Sequence, residues 1–289
     1  MAKRILILGL NSFDSGKTVL AENLARILSE NNSRVEYFKP VSGHNYWYKH
    51  EHTKQCLDQG KLFSNDAARV RKHLESKVPI EIANPVHSLF VPAVQENPNQ
   101  LLTSSLSIGG WDAVLAMQRF TRAENEKPIS TMLVAESLIS SKKLMITTEE
   151  ANALSVDTEV RTIATLEDAQ SFEFAAFEGV VNDSFETIEK NADVLIIEGF
   201  NNSAWPWEGL DNADVVLLVG PGHVFSYDPG RFRKAAFLVK YGSQPIRDVP
   251  IGRVSEMIKP VDRLLLTPDT QITPPELEKL GLLQEKMIK

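Results

Sequence analysis

Residues 3–18 read KRILILGLNSFDSGKT, an apolar run followed by a polar loop that ends in Gly16-Lys17-Thr18. Residues 5–8 are continuously apolar, which is typical of a central parallel strand covered on both faces. Apolar residues at helical spacing after Lys17 predict a helix, and residues 35–38 predict a second strand. This βαβ pattern predicts a parallel sheet with right-handed crossovers.

The tripeptide Gly16-Lys17-Thr18 stands where a phosphate-binding loop must stand, between a strand and a helix. Backbone N–H groups and the helix dipole attract phosphate oxygens there, a lysine neutralises the β- and γ-phosphates, and a threonine hydroxyl holds Mg²⁺. The pattern G-x-x-x-x-G-K-[ST] is incomplete, because Asn11 occupies the first glycine position. A chance Gly-Lys-Thr at an ordinary helix start is the alternative, and the surrounding βαβ pattern argues against it. The predicted nucleotide-binding residues are Asn11, Ser12, Phe13, Asp14, Ser15, Gly16, Lys17, Thr18 and Val19.

Two later apolar runs predict further central strands, residues 194–197 before Glu198 and residues 215–219 before Gly220. A helix is expected over residues 231–241, a weaker strand around Ile251 and a last strand near residues 263–266. Thr273, Pro274 and Glu276 together predict a capped C-terminal helix. The predicted fold class is α/β, a mostly parallel sheet with helices on both faces, as in P-loop NTPases.

The middle of the chain has no clear counterpart in that pattern. We expect a single P-loop α/β domain over residues 1–289, with an insertion at about 95–177 that packs on the main sheet. Within the insertion, residues 111–122 are predicted to be helical. Residues 131–140 and 144–148 are predicted to form the two strands of a hairpin.

Composition excludes several classes of protein. The chain has 289 residues, 43% of them hydrophobic and 24% charged, which excludes a disordered chain, a collagen-like repeat and a disulfide scaffold. Its 31 basic and 38 acidic residues give a net charge of −7, which argues against sequence-independent binding of nucleic acid. The single cysteine, Cys56, excludes an internal disulfide and a Cys-based zinc cage. No apolar run is long enough to span a bilayer, so we expect a cytoplasmic protein with no membrane partner.

The order of five segments resembles that of dethiobiotin synthetase, a P-loop enzyme. They are the loop 11–18 with its acidic residue two positions before Gly16, Phe-Lys-Pro-Val-Ser-Gly at 38–43, Asn65-Asp66-Ala67, Asn84-Pro85-Val86-His87, and the strand end at 194–199. The resemblance covers the first ninety-five or so residues and the region near 193–222.

The resemblance implies an enzyme that uses ATP and Mg²⁺ on a small molecule, and a homodimer. It implies catalytic roles for Lys17, Lys39 and Asp14, substrate contacts for Lys39, Ser42 and Glu198, and metal ligation by Thr18, Asp66 and Glu198. Elementary chemistry points to the same metal set, because Mg²⁺ prefers oxygen ligands and ligands of open α/β sheets lie beyond the carboxyl ends of the strands. Plainer interpretations remain open: Lys39 as a solvated loop residue and Asp66 as a helix cap.

The histidines at 44, 50 and 52 suggest a metal cluster at first sight. No second ligand group completes a zinc set beside them, so the sequence favours a substrate-binding or lid segment, or more simply a solvated loop. His87 fits a hydrogen-bonded core residue and a functional residue equally well.

Several departures from the family indicate a divergent relative with its own substrate. Asn11 and Phe13 alter the loop, and residues 248–253 lack the Asn-containing base-recognition segment, so ATP is not distinguished from GTP. The leading hypothesis is Mg²⁺-dependent phosphorylation of a small carboxylate or carbamate, for ring closure or amide formation. The alternative is a nucleotide-driven ATPase or GTPase switch that acts on a protein partner. The third hypothesis is a non-catalytic relative that keeps the loop only for structure.

Overall fold

The computed structural model describes residues 2–12, 14–30, 33–97, 106–107, 113–266 and 272–282. The strands are β1 (Lys3–Gly9), β2 (Val35–Phe38), β3 (Val41–Asn45), β4 (Val86–Val91), β5 (Val114–Glu124), β6 (Lys127–Val134), β7 (Thr158–Thr162), β8 (Val194–Glu198), β9 (Val215–Gly220), β10 (His223–Tyr227) and β11 (Asp262–Leu265). The α-helices are α1 (Lys17–Glu30), α2 (His50–Gln59), α3 (Asn65–Arg71), α4 (Ile80–Ala83), α5 (Glu136–Ser140), α6 (Thr148–Leu154), α7 (Leu166–Glu189), α8 (Pro229–Leu238), α9 (Ile251–Ser255) and α10 (Pro274–Lys279).

The chain divides into two compact units. The first unit consists of the described residues within Met1–Pro40, Asp66–Lys77 and Phe185–Lys289. The second consists of the described residues within Val41–Asn65 and Val78–Ser184. Every described residue of the predicted insertion at 95–177 belongs to the second unit, which also takes in residues before it. The interpretation of the chain as one domain with an insertion stays a prediction.

The first unit is built on a six-stranded sheet with the order β11-β10-β9-β1-β8-β2. Strands β9, β1, β8 and β2 are parallel to one another, whereas β10 pairs antiparallel with β9 and with β11. The central strands are almost wholly buried, as their continuous apolar runs predict. Helix α1 buries Leu20, Leu24 and Leu28 and contacts β1, β2 and β8.

The second unit has a five-stranded sheet with the order β3-β4-β5-β6-β7. Its outer pairs β3–β4 and β6–β7 are parallel, and the inner pairs β4–β5 and β5–β6 are antiparallel. The predicted α/β class is confirmed. A mostly parallel sheet with helices on both faces is not confirmed, because both sheets are mixed.

The prediction of a helix over residues 111–122 is wrong where the structure describes it, since β5 occupies residues 114–124. The first eight residues of β5 are buried, so the strand shows no polar and apolar alternation. Its partner β6 follows after Asn125 and Glu126, whose φ angles of 51° and 63° match a two-residue type I′ turn. Pairing with β4 and β6 therefore prevails over the helix propensity of Leu115, Ala116 and Met117.

Three smaller predictions are also wrong, and one is confirmed. Residues 136–140 form α5 rather than the end of a strand, and Ile251 begins a short helix, α9. Residues 144–148 form no hairpin strand, because Leu144 makes only an isolated bridge to Ala93 and Thr148 already begins α6. Helix α10 does begin after Thr273, whose backbone N–H donates to Glu276 Oε2 at 2.7 Å. Across the described ranges, no helix is both long enough and apolar enough to cross a bilayer.

Candidate functional site

The loop between β1 and α1 is held in a tight turn by its own polar groups. Ser15 is buried, and its hydroxyl accepts a hydrogen bond from the Asn11 N–H at 3.0 Å and donates to the Asn11 carbonyl at 2.7 Å. Asp14 and Gly16 have φ angles of 52° and 88°, in the left-handed region that glycine adopts most readily. Both of these hydrogen bonds use backbone groups of Asn11, so they do not require a glycine at position 11.

The Lys17 side chain is folded back over the end of β1. Its Nζ donates to the Asn201 carbonyl at 2.9 Å, and the residue is only 8% exposed. A Cβ placed on Gly9 would lie 2.5 Å from that Nζ and 2.9 Å from the Asn201 carbonyl oxygen. Gly9 therefore makes the room that Lys17 occupies. Burial lowers the pKa of the Lys17 ammonium, against the opposing attraction of Glu198.

Glu198, the last residue of β8, is fully buried and accepts three hydrogen bonds. Its Oε1 accepts from Thr18 Oγ1 at 3.1 Å and from Lys39 Nζ at 2.6 Å, and its Oε2 accepts from the Tyr37 hydroxyl at 2.8 Å. A carboxylate is stable in the interior only when it is paired in this way. Burial and the nearby Glu198 charge raise the pKa of the Tyr37 phenol well above its ordinary value, so Tyr37 remains a donor.

Lys39 bridges two carboxylates. Its Nζ lies 2.5 Å from Asp66 Oδ2, in the first turn of α3, as well as 2.6 Å from Glu198 Oε1. Burial alone would lower the pKa of Lys39, but Glu198 and Asp66 outweigh it and raise that pKa. Burial by itself would raise the pKa of the Asp66 carboxyl. The charge of Lys39 and its hydrogen bond outweigh burial and lower that pKa. Lys39 and Asp66 are therefore both charged at neutral pH.

The carboxylates of Asp66 and Glu198 thus meet at the ammonium of Lys39, and the Thr18 hydroxyl donates to the same oxygen of Glu198 that accepts from Lys39. An all-oxygen set with two carboxylates fits a hard divalent cation such as Mg²⁺. The set also lies at the first turn of α1, where Lys17 and the loop backbone suit an anion. The residues present therefore fit a nucleotide phosphate together with Mg²⁺.

The structure places the other predicted site residues in different settings. Asn11, Ser12 and Asp14 are exposed on the loop, and Val19 is 52% exposed on α1. Phe13 lies outside the described residues. Ser42 belongs to the second unit, where its hydroxyl donates to Asn84 Oδ1 at 2.8 Å.

The sequence analysis missed two groups that bind the charged residues of the site. They are the Tyr37 hydroxyl, which donates to Glu198, and the Asn201 carbonyl, which accepts from Lys17. Tyr37 pairs in register with Ile196, so its side chain shares a face of the sheet with Glu198, two residues further along β8. A tyrosine inside an apolar strand, beside a strand that ends in glutamate, was the available signal. Asn201 acts through its backbone carbonyl, which carries no sequence signal.

The second unit brings together a set of histidines that the sequence analysis did not predict. His44 and His52 are buried and meet the buried His87, whereas His50 is exposed at the start of α2. The interpretation of His44 and His52 as part of a solvated loop is therefore wrong. Burial lowers the pKa of His44 to about 3, with a further contribution from His52, so this imidazole is neutral.

The resemblance to dethiobiotin synthetase depends only on the segments quoted above. No protein-family model matches the chain, and neither does any curated protein or solved structure.

Proposed function

We propose that the protein is an Mg²⁺-dependent enzyme that uses ATP to phosphorylate a small carboxylate or carbamate, as the resemblance to dethiobiotin synthetase implies. We infer for the first unit a P-loop NTPase fold, with a mostly parallel sheet and helices on both faces. The parallel order β9-β1-β8-β2 and the passage from β1 through the loop to α1 support this inference. The proposal includes a cytoplasmic location, supported by a single cysteine that is buried as a free thiol.

The observation that carries the proposal is the buried carboxylate of Glu198, which accepts hydrogen bonds from both Thr18 and Lys39. Thr18 follows the loop lysine, and Lys39 follows β2. A purely structural loop has no need for a fully buried glutamate at the end of the neighbouring strand. Burying that charge costs desolvation free energy. Such a cost is understandable where the same carboxylate also helps to bind a ligand.

The roles follow from charge and position. Lys17 would leave the Asn201 carbonyl and neutralise the β- and γ-phosphates of bound ATP. Thr18, Asp66 and Glu198 would hold Mg²⁺, which when bound neutralises charge that develops on the phosphates. Asp14 is exposed on the loop and attracts Lys17 electrostatically, and under this proposal it would act on an incoming group.

Lys39 would direct the acceptor. As a cation held between two carboxylates, it can exchange one of them for the carboxylate or carbamate of a substrate without a change in its own charge. Transfer of the γ-phosphoryl group to an oxygen of that substrate gives ADP and an acyl phosphate. Attack by an amine on the acyl carbon then releases phosphate and forms the ring or amide bond.

The first experiment is a calorimetric titration of the tag-free protein with a non-hydrolysable ATP analogue, with and without Mg²⁺, and with the GTP analogue in parallel. Binding that depends on Mg²⁺ and is lost in Lys17→Ala supports the proposal. Lys234→Ala is the matched control, because Lys234 is exposed in the same unit. Absence of Mg²⁺-dependent binding to the wild-type protein contradicts it.

The second experiment measures release of ADP in the presence of a panel of small amino acids and carbamate-forming diamines. Turnover stimulated by a member of the panel supports a small-molecule enzyme. Slow turnover that no small molecule stimulates, and that a protein partner does stimulate, would favour the switch instead.

A further inference from the structure

The buried imidazoles of His44, His52 and His87 lie close enough together to share one ligand. One ring nitrogen from each lies within 4.8 Å of the others, and no residue of the three is more than 7% exposed. We propose that the second unit binds one divalent transition-metal ion of the Zn²⁺ class through these three histidines. This site is separate in its residues from the proposed nucleotide site and does not depend on it.

The fold brings the three rings together through two strands and a helix. His44 lies on β3 and His87 on the neighbouring parallel strand β4, where Ser42 is the register partner of His87. Ser42 and His44 are two residues apart and therefore share a face of the sheet. His52 comes from α2, which follows β3 directly, and its ring centroid lies 4.7 Å from that of His44.

An oxygen atom orients the outer nitrogen of each ring. His87 Nδ1 lies 2.5 Å from Ser42 Oγ, His44 Nε2 lies 3.2 Å from Thr53 Oγ1, and His52 Nε2 lies 2.7 Å from the Phe63 carbonyl. Histidines that bind metals almost always donate their second N–H to a carbonyl, carboxylate or other oxygen in this way. The other ring nitrogens, His87 Nε2, His44 Nδ1 and His52 Nδ1, are the candidate metal ligands.

The hydrogen bonds around Ser42 fix the proton on His87. Asn84 Nδ2 donates to the Val86 carbonyl, so its Oδ1 is the atom that accepts from Ser42. The single hydrogen of the Ser42 hydroxyl is thereby used, and His87 Nδ1 must donate to Ser42 Oγ. A neutral His87 then presents a lone pair at Nε2, which is the form that a metal requires.

His44 requires a change of tautomer. Without a metal, its Nδ1–H donates to His87 Nε2 at 2.8 Å. When a metal binds, the hydrogen moves to Nε2 and is donated to Thr53 Oγ1, and the Thr53 hydroxyl can donate in turn to the Lys49 carbonyl. No net proton is gained or lost in this rearrangement.

The distances are suited to a small rearrangement. Metal–nitrogen bonds of about 2.0–2.1 Å in a tetrahedron place nitrogens about 3.4 Å apart. The His44–His87 pair at 2.8 Å would open by about half an ångström, and any wider separation, at most 4.8 Å, would close. Both changes are of a size that rotations about Cα–Cβ and Cβ–Cγ bonds produce.

The donor set selects the class of metal. Imidazole suits Zn²⁺, Co²⁺, Ni²⁺ and Cu²⁺, whereas Mg²⁺ and Ca²⁺ prefer oxygen. Cys56 Sγ lies 3.6 Å from His52 Nε2, on the outer side of that ring, so the thiol is not counted as a ligand. Three protein ligands leave a fourth position for water or another small ligand, as in catalytic zinc sites.

The test is a titration of tag-free protein, first stripped by a chelator, with Co²⁺. Uptake of one equivalent with the intense visible absorption of a tetrahedral ion, displaced by one equivalent of Zn²⁺, supports the proposal. This measurement needs no variant and so does not depend on whether a variant folds. Absence of tetrahedral absorption, or of displacement by Zn²⁺, overturns it.

Variants then assign the ligands. His87→Gln should weaken Co²⁺ binding by at least about a hundredfold, and Ser42→Ala, which keeps all three rings, by about tenfold. His50→Gln is the matched control, since His50 is exposed on the same helix as His52. Equal weakening in His50→Gln and His87→Gln would overturn the assignment.

Discussion

Lys39 and Glu198 form a buried ion pair in which Nζ lies 2.6 Å from Oε1 and the carboxylate is fully buried. Asp66 adds a second carboxylate to the same ammonium at 2.5 Å. The attraction offsets the loss of hydration for both charges only while every member is present. The pair therefore couples the end of β2 to the end of β8 and to the first turn of α3.

Removal of Lys39 tests that coupling. Lys39→Met keeps the length of the side chain but leaves Glu198 without a cation, so we expect the free energy of unfolding to fall by about 3–5 kcal/mol. Urea denaturation followed by fluorescence and circular dichroism measures this change. The double variant K39M/E198Q should recover part of the loss, because it no longer buries an unpaired charge.

The control for this comparison is Arg26→Ala. Arg26 forms a solvent-exposed i,i+4 pair with Glu30 on α1, and surface changes of this kind alter stability by less than about 0.5 kcal/mol. If Lys39→Met lowered the free energy of unfolding by no more than Arg26→Ala, the Lys39–Glu198 pair would have no role in stability.

Tyr37→Phe isolates one hydrogen bond to the same carboxylate. The ring stays in the core and only the hydroxyl that donates to Glu198 Oε2 at 2.8 Å is lost. Hydrogen bonds to charged groups contribute about 1.5–3 kcal/mol, and we expect a loss of stability in that range. Tyr241→Phe, at a side chain that is 83% exposed, should leave the urea midpoint unchanged. Equal midpoints for the two variants would contradict the assigned role of Tyr37.

The lowered pKa of Asp66 gives a prediction for pH. A carboxyl whose pKa is lower in the folded state contributes stability above its unfolded value, near 3.8, and loses it as pH falls through the folded value. The difference in unfolding free energy between wild type and Asp66→Asn should therefore be constant from pH 8 to pH 5 and shrink below about pH 4. Chemical denaturation across this range measures it. A difference that persists undiminished at pH 2 would contradict the ion pair with Lys39.

Much of the first unit could be predicted because its central strands β1, β8 and β9 contain continuous apolar runs, with polar or charged residues at or beyond their ends. Lys17, Thr18, Lys39 and Glu198 follow from that rule alone, since parallel strands present their carboxyl ends at one edge. Strict alternation, continued one residue past the end of β2, even places Tyr37 and Lys39 on one face of the sheet. The contact between Lys17 and the Asn201 carbonyl could not be predicted, because it depends on the path of a loop.

The second unit was harder for a physical reason. Strand β5 is buried along most of its length and is rich in residues that favour helices, so neither period nor propensity reveals it. The meeting of His44 with His87 depends on the register of β3 with β4, across about forty residues of chain. Sequence proximity pointed instead to His50, which the first turn of α2 leaves exposed.

Gly9→Ala tests whether the space at the end of β1 is reserved for Lys17. The added Cβ would lie 2.5 Å from Lys17 Nζ and 2.9 Å from the Asn201 carbonyl oxygen, so the ammonium and a segment of backbone must both move. We expect a loss of about 1–3 kcal/mol in stability and, under the proposed function, a loss of nucleotide affinity of tenfold or more. Gly252→Ala is the matched control, because its Cβ meets nothing within 4 Å in a helix of the same unit and should cost nothing. Denaturation and calorimetric titration of the two variants decide the matter: an unchanged affinity in Gly9→Ala would show that Lys17 does not need its present position to meet a phosphate.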